Sequence, residues 1–249
     1  MSSRGSRVAV VTGGGQGLGR AIALALDRAG LDVAVLGRTR AKLDETVAMM
    51  SGRGMALVAD HGDPDQVRTA FGEIAKALGG VDVLINNAAS YSPFRVAEAR
   101  DEQISDIMMN SLMGPIYCIR ESIPLMKARG AGDIVNISSQ SVETPQPYMT
   151  VYAAAKAGLE TLSRGLRYEL KGEPIRITTF QVGVISDTVE NEDWEPDRRA
   201  KIHEAFDASG VGPLFIYPGS SSESLAASVA HVVTAPRDVC LQHVEVRGT

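Results

Sequence analysis

The chain has 249 residues, 44% of them hydrophobic and 22% charged, a composition that supports a folded core and excludes a disordered chain. Its formal net charge of −5 argues against a surface for nucleic acid or an acidic membrane. Cys118 and Cys240 lie in apolar segments without companions at metal-ligand spacing, so we expect no metal site. We find neither a signal sequence nor an apolar span of about twenty residues, and we expect a cytoplasmic protein.

The first predicted element is a β-branched strand at 8–11, followed by a glycine-rich turn and a helical pattern. Glycine permits a tight turn and a close approach to a ligand, and the amides at a helix start suit a pyrophosphate. The spacing Gly-x-x-x-Gly-x-Gly differs from the Gly-x-Gly-x-x-Gly dinucleotide fingerprint, and a plain tight turn is the alternative. We predict a dinucleotide site at Gly13, Gly15, Gln16, Gly17, Leu18 and Gly19.

The end of the second predicted strand, at Gly37, indicates which dinucleotide is bound. The adenosine ribose would lie there, and an acidic side chain would favour a free 2′-hydroxyl. Residues 36–40 contain no acid, and Arg38 offers donors that match a phosphate. We therefore predict NADP(H) rather than NAD(H), with contacts from Arg38 and Thr39. The alternative is a solvated charge cluster at the start of the next helix.

The next two predicted strands also end in polar residues. The third ends at Asp60 before a helix that begins near Pro64, and Asp60 could either cap that helix or contact the adenine. The fourth ends in small polar residues, of which Asn87 and Ala88 could contact a ligand. Asn87 could equally be a turn residue.

A long predicted helix, 101–130, carries Asn110 among apolar residues, and we expect a kink at Pro115. An amide is unusual inside a helix, so Asn110 either bonds a backbone group locally or serves a site.

A tyrosine and a lysine four residues apart give the clearest chemical signal. Tyr152 and Lys156 would share one face of a helix, where the ammonium would lower the pKa of the phenol and make it a general acid or base. Ser139 ends the preceding predicted strand and would present its hydroxyl to the same crevice. The alternative for the pair is a surface cation packed over an aromatic ring.

Six alternations of strand and helix predict an α/β fold, a doubly wound parallel sheet with helices on both faces. Ligands bind such sheets at the carboxyl ends of the strands, where the candidates fall: Gly13, Arg38, Asp60, Asn87, Ser139 and Gly183. The stretch 185–222 breaks the pattern, and we expect it to form a substrate lid or wall that includes Trp194. The alternative is a surface excursion without function.

Together these motifs resemble the classical short-chain dehydrogenase/reductase family over essentially the whole chain. The resemblance rests on TGGGQGLG at 12–19, DHGD at 60–63, NNAA at 86–89, Asn110, the second serine of NISS, and YAAAK at 152–156. It implies one Rossmann-like domain, usually a homotetramer with a dimer as the alternative, acting on a small alcohol or carbonyl compound.

The resemblance also implies residue roles. Tyr152 would be the acid or base, Lys156 would lower its pKa and contact the nicotinamide ribose, and Ser139 would hold the substrate oxygen. Asn110 would hold a water in the proton relay. Backbone contact to the nicotinamide would come from Ile185, after Gly183.

The chain departs from the family pattern at three places: Ala89, Val182 with Asp187, and the C-terminal VCLQHVEVRGT.

The expected reaction is hydride transfer between NADP(H) and a secondary alcohol or ketone. A non-redox dehydratase or epimerase and a dinucleotide-binding regulator are the alternatives.

Overall fold

The computed structural model describes residues 5–187, 196–210 and 219–249, and its strands form one seven-stranded sheet. All the strand pairs are parallel, in the order β3-β2-β1-β4-β5-β6-β7. The strands are β1 Val8–Thr12, β2 Asp32–Gly37, β3 Gly54–Val58, β4 Val83–Asn86, β5 Gly132–Ser139, β6 Ile175–Val182 and β7 His243–Val246. The predicted doubly wound parallel sheet is confirmed.

Helices connect the strands and cover both faces of the sheet. They are α1 Gly17–Arg28, α2 Arg40–Ala48, α3 Pro64–Leu78, α4 Asp101–Met108, α5 Gly114–Arg129, α6 Thr150–Glu169, α7 Pro196–Ser209 and α8 Ser222–Thr234. No helix in the described ranges is both long and apolar enough to cross a membrane.

Two apolar clusters hold the layers together, one on each face. On one face, α1 and α8 pack against the sheet through side chains such as Ile22, Leu26 and Val229. On the other face, α3, α5 and α6 pack through side chains such as Phe71 and Leu166. Because both faces are covered, the central strands are apolar on both sides, which explains their continuous hydrophobic runs.

The structure corrects two element boundaries. The third strand ends at Val58 rather than Asp60, because the following residues form a turn in which Asp60 Oδ1 accepts the Gly62 N–H at 2.9 Å. The single helix expected around Asn110 is divided into α4 and α5 by a π-helical turn, Met109–Met113.

The predicted substrate lid or wall, 185–222, lies partly outside the described residues. Trp194 and the apolar residues Leu214, Phe215 and Ile216 are among the residues outside the described ranges. Within the described part, Ile185 forms a parallel bridge with Ser220, so the chain returns to the end of β6 before α8 begins.

Candidate active site

The turn between β1 and α1 depends on its glycines, as two positions illustrate. Gly13 has φ of +67°, in the left-handed region that favours glycine. A Cβ atom on Gly19 would lie 2.2 Å from the carbonyl oxygen of Gly13, which no unbonded carbon can tolerate. The resulting backbone leaves the first amides of α1 open to the crevice, because Gln16, the N-cap, makes no side-chain capping bond.

Hydrogen bonds of Thr12 link this turn to the end of β4. Its buried Oγ1 accepts the N–H groups of Asn87 at 3.1 Å and Ala88 at 3.0 Å, and it donates to the Ile85 carbonyl at 3.3 Å. The Asn87 side chain donates from Nδ2 to the Thr12 carbonyl at 3.0 Å. Asn87 therefore holds two strand ends together and also lines the crevice.

Two cations line the crevice beside the end of β2. Arg38 is exposed just after Gly37, and Lys42 projects from α2, where its Nζ donates to Gln16 Oε1. No hydrogen bond or ion pair holds the Arg38 side chain to another described residue. Asp187, which follows β6, is the sole carboxylate among the described lining residues. The β2 end of the crevice is therefore electropositive.

Asp60 does not line the crevice, whereas its neighbour His61 does. The Asp60 carboxylate closes the local turn, and α3 is capped by Asp63, whose Oδ1 accepts from Asp65 N–H at 2.9 Å. Of the two roles left open by the sequence, capping of α3 is thus excluded.

His61 is 8% exposed, and its Nε2 lies 2.9 Å from the carbonyl oxygen of Asn110. Burial lowers the pKa of His61 below 6.5, against the hydrogen bond to Asn110 and the charge of Asp60, which raise it. The charges of Arg38 and Lys156 lower the pKa further.

The Asn110 side chain makes a local hydrogen bond to a backbone group, which was one of the two alternatives that the sequence left open. Its Nδ2 donates to the backbone oxygen of Asp106 at 2.9 Å and to the Asp106 carboxylate at 2.8 Å. Asn110 nevertheless lines the crevice, and its backbone carbonyl contacts His61.

Ser139, the last residue of β5, has its hydroxyl oriented by Ser141. The Ser139 Oγ lies 2.9 Å from Ser141 Oγ and accepts the Ser141 N–H at 3.2 Å. A donor from Ser141 leaves the Ser139 proton available to a ligand in the crevice.

Tyr152 and Lys156 lie on the crevice side of α6, and Lys156 is almost completely buried. Lys156 Nζ lies 5.7 Å from the centroid of the Tyr152 ring and donates to the Ile137 carbonyl at 2.7 Å. Burial lowers the pKa of Lys156 from 10.5 to about 8, because the charged ammonium loses its hydration. Tyr91 packs edge-on against Tyr152, with ring centroids 5.5 Å apart.

Asp187, one of the departures from the family pattern, ties the end of β6 to α8. Its carboxylate accepts the Ser222 N–H at 2.9 Å and the Ser222 hydroxyl at 2.8 Å. Desolvation raises the pKa of Asp187, but these bonds outweigh it, so the pKa lies below its usual value. Gly183 and Ile185 line the crevice next to it.

These elements surround one crevice of about 930 Å³ at the carboxyl ends of the strands, near the upper limit of about 1,000 Å³ for cofactor pockets. Every residue predicted for the site except Asp60 is in its lining: Gly13, Gly15, Gln16, Gly17, Leu18, Gly19, Arg38, Thr39, Asn87, Ala88, Asn110, Ser139, Tyr152, Lys156, Gly183 and Ile185.

Among the lining residues that sequence reasoning missed are Lys42, His61, Tyr91 and Ser141. The signal for Lys42 was a further cation four residues after Arg38, on the helix predicted to begin near residue 40. His61 stands beside Asp60 in a segment already considered, but its partner is 49 residues away. No local pattern could have found that contact.

The parallel sheet, the glycine turn and the crevice at the strand ends define a nucleotide-binding α/β protein. The family model for short chain dehydrogenase matches residues 7–199, and the chain belongs to this family.

Relatives and solved structures agree with the family. An uncharacterized oxidoreductase of Thermotoga maritima is 34% identical, over 84% of this chain and 85% of the relative. A short-chain dehydrogenase from Streptomyces avermitilis has a TM-score of 0.82 at 27% identity, covering 99% of this chain and 89% of that one. A serine dehydrogenase complexed with NADP+ has a TM-score of 0.81 at 23% identity, covering 96% of this chain and 94% of that one. At this identity the likeness supports the fold alone.

Proposed function

We propose that the protein is an NADP(H)-dependent oxidoreductase that interconverts a secondary alcohol and a ketone. One observation carries this proposal: Tyr152, Lys156 and Ser139 line the same crevice as the glycine turn. A surface cation over an aromatic ring, the alternative for the pair, does not fit a lysine that is 2% exposed.

The residues of the crevice fit a dinucleotide phosphate. The close approach of Gly13 and Gly19 leaves backbone amides at the start of α1 as phosphate donors. Arg38 and Lys42 supply positive charge at the β2 end, with no acid there among the described lining residues. These cations favour a cofactor with a 2′-phosphate.

The cofactor, when bound, supplies or accepts the hydride. In the direction of reduction, Tyr152 gives its phenolic proton to the substrate oxygen, and Ser139 donates a hydrogen bond to the same oxygen. Lys156 stabilises the phenolate that remains, and its burial strengthens this effect because little water screens the charge.

The first experiment combines purified protein with NADPH or NADH and a panel of ketones and secondary alcohols. We expect turnover with NADPH, and a loss of about 100-fold or more in Tyr152→Phe with NADPH binding retained. The matched control is Tyr168→Phe on the same helix, because Tyr168 is 82% exposed and outside the crevice. Full turnover in Tyr152→Phe would refute the assignment, and NADPH binding without turnover on any carbonyl would favour a regulator or a non-redox enzyme.

A second experiment tests the cofactor preference. In Arg38→Asp, the carboxylate would repel a 2′-phosphate and accept a 2′-hydroxyl, so the ratio of kcat/KM for NADPH to that for NADH should fall. Arg40→Asp is the control, because Arg40 pairs with Asp44 on the surface of α2 and is outside the crevice. An unchanged ratio in Arg38→Asp would mean that Arg38 is only a solvated charge.

We also propose that the protein forms a homotetramer, with a dimer as the alternative. We further propose that it is located in the cytoplasm and that residues 185–222 form a substrate lid or wall. Sedimentation velocity of the purified protein tests the first of these.

A further inference from the structure

His61 is a buried ionisable side chain in the crevice wall that the proposed chemistry does not use. It is 8% exposed, lines the crevice, and makes a hydrogen bond of 2.9 Å from Nε2 to the Asn110 carbonyl oxygen. A carbonyl oxygen only accepts, so Nε2 carries the proton and the neutral ring keeps Nδ1 as an acceptor.

The backbone of the π-helical turn makes the Asn110 carbonyl available to His61. In an α-helix the N–H of Gly114 would bond this oxygen, but it donates to the Met109 carbonyl instead. In a π-helix the next residue would be the donor, but it is Pro115, which has no N–H. Neither helical donor reaches the oxygen, and the imidazole takes their place.

Glycine at position 114 provides the space for this bond. A Cβ atom there would lie 2.4 Å from Cδ2 of His61, so any larger residue would push the ring away from Asn110. The other side of the turn packs on α6, since a Cβ atom on Gly158 would lie 3.2 Å from Leu112 Cδ2. The turn is therefore held between His61 and the helix that carries Tyr152 and Lys156.

We propose that His61 is a positioning residue: through the Asn110 carbonyl it fixes the π-helical turn against α6 and so holds Tyr152 and Lys156 in their reactive arrangement. This inference rests on the proposed function. The carbonyl keeps a second lone pair, which can accept a hydrogen bond from water in the crevice.

Three charged groups act on His61 from the surrounding elements: Asp60 of its own turn, Arg38 after β2 and Lys156 of α6. Burial is the main reason that the pKa of His61 is lowered, and the two cations add to it, so the neutral donor is favoured. In acid, a charged His61 would add a further cation to a crevice that already holds Arg38, Lys42 and Lys156.

Two variants separate the hydrogen bond from simple packing. His61→Leu fills the space without a donor, and we expect a loss of about tenfold or more in kcat, a changed pH profile and little change in the KM for NADPH. His61→Gln retains an N–H donor and should recover most of the kcat. His231→Gln is the control, because His231 is exposed on α8. Equal losses in the Leu and Gln variants, or a change confined to the KM for NADPH, would overturn the proposal.

A measurement on the cofactor-free protein does not depend on activity. Nitrogen NMR should show His61 as the Nε2–H tautomer with a pKa below 6.5, and Lys156→Met should raise that pKa. The Nδ1–H tautomer, or an unperturbed titration, would overturn the proposal even if His61→Leu failed to fold. A wild-type protein inactive on every carbonyl would instead refute the proposed function, and the NMR result would still decide whether the bond exists.

Discussion

Replacement of Lys156 by methionine should abolish turnover and remove a pH-dependent cost from the folded state. Lys156 is 2% exposed, and an unbranched methionine fills most of the space of its alkyl chain. The shift of its pKa from 10.5 to about 8 means that the buried charge costs on the order of 3 kcal/mol at neutral pH.

The sign of the pH dependence follows from linkage. Because the folded-state pKa is depressed, this group's contribution to stability is fully present above the unfolded pKa of 10.5 and is lost as pH falls through the folded pKa near 8. Wild type should therefore gain stability relative to Lys156→Met by on the order of 2 to 3 kcal/mol between about pH 7 and about pH 10.

One hydrogen bond opposes the gain from methionine at neutral pH. Lys156 Nζ donates to the Ile137 carbonyl at 2.7 Å, and an unpaired buried carbonyl costs about 1 to 3 kcal/mol. At about pH 7 the variant should thus be between equally stable and about 2 kcal/mol more stable than wild type. The loss of the bond affects both pH values, so it cancels in the pH-dependent difference.

Urea unfolding of both proteins at the two pH values measures this difference. Lys171→Met, an exposed lysine just after α6, is the control and should show no pH-dependent difference from wild type. The reasoning is refuted if Lys156→Met changes stability equally at both pH values, because the buried ammonium would then carry no desolvation cost.

Three further predictions concern Asp133, Thr12 and the two cysteines. Asp133 is 5% exposed and pairs with three arginine side chains, so Asp133→Asn should lower the free energy of unfolding by about 3 to 5 kcal/mol, measured in urea; a loss below 1 kcal/mol would contradict the network. Thr12→Val removes the acceptor for two backbone N–H groups and should cost about 1 to 3 kcal/mol, while Thr12→Ser should restore most of it. Burial raises the pKa of Cys118 to about 12, whereas Cys240 is exposed, so peptide mapping should find native alkylation at Cys240 alone.

Most of the fold could be predicted because its signals are local. Runs such as 8–11 and 83–85 are apolar at every position, and parallel strands covered on both faces require that pattern. The helix of Tyr152 and Lys156 follows from its own composition, and their shared face from helical geometry. The end of β3 was placed too late, because the turn around Asp60 depends on side-chain bonds to Gly62 and Gln66 rather than on hydropathy.

The sequence by itself therefore determined the parallel α/β sheet, the glycine turn at its first strand and the residue types that meet at its edge. Only the tertiary structure decided what those residues do to one another: that Asn87 bonds Thr12, 75 residues away, and that His61 bonds a carbonyl 49 residues away. Secondary structure depends on neighbours within a turn or a strand. Burial, desolvation and hydrogen bonds between distant segments exist only once the chain has closed around the crevice.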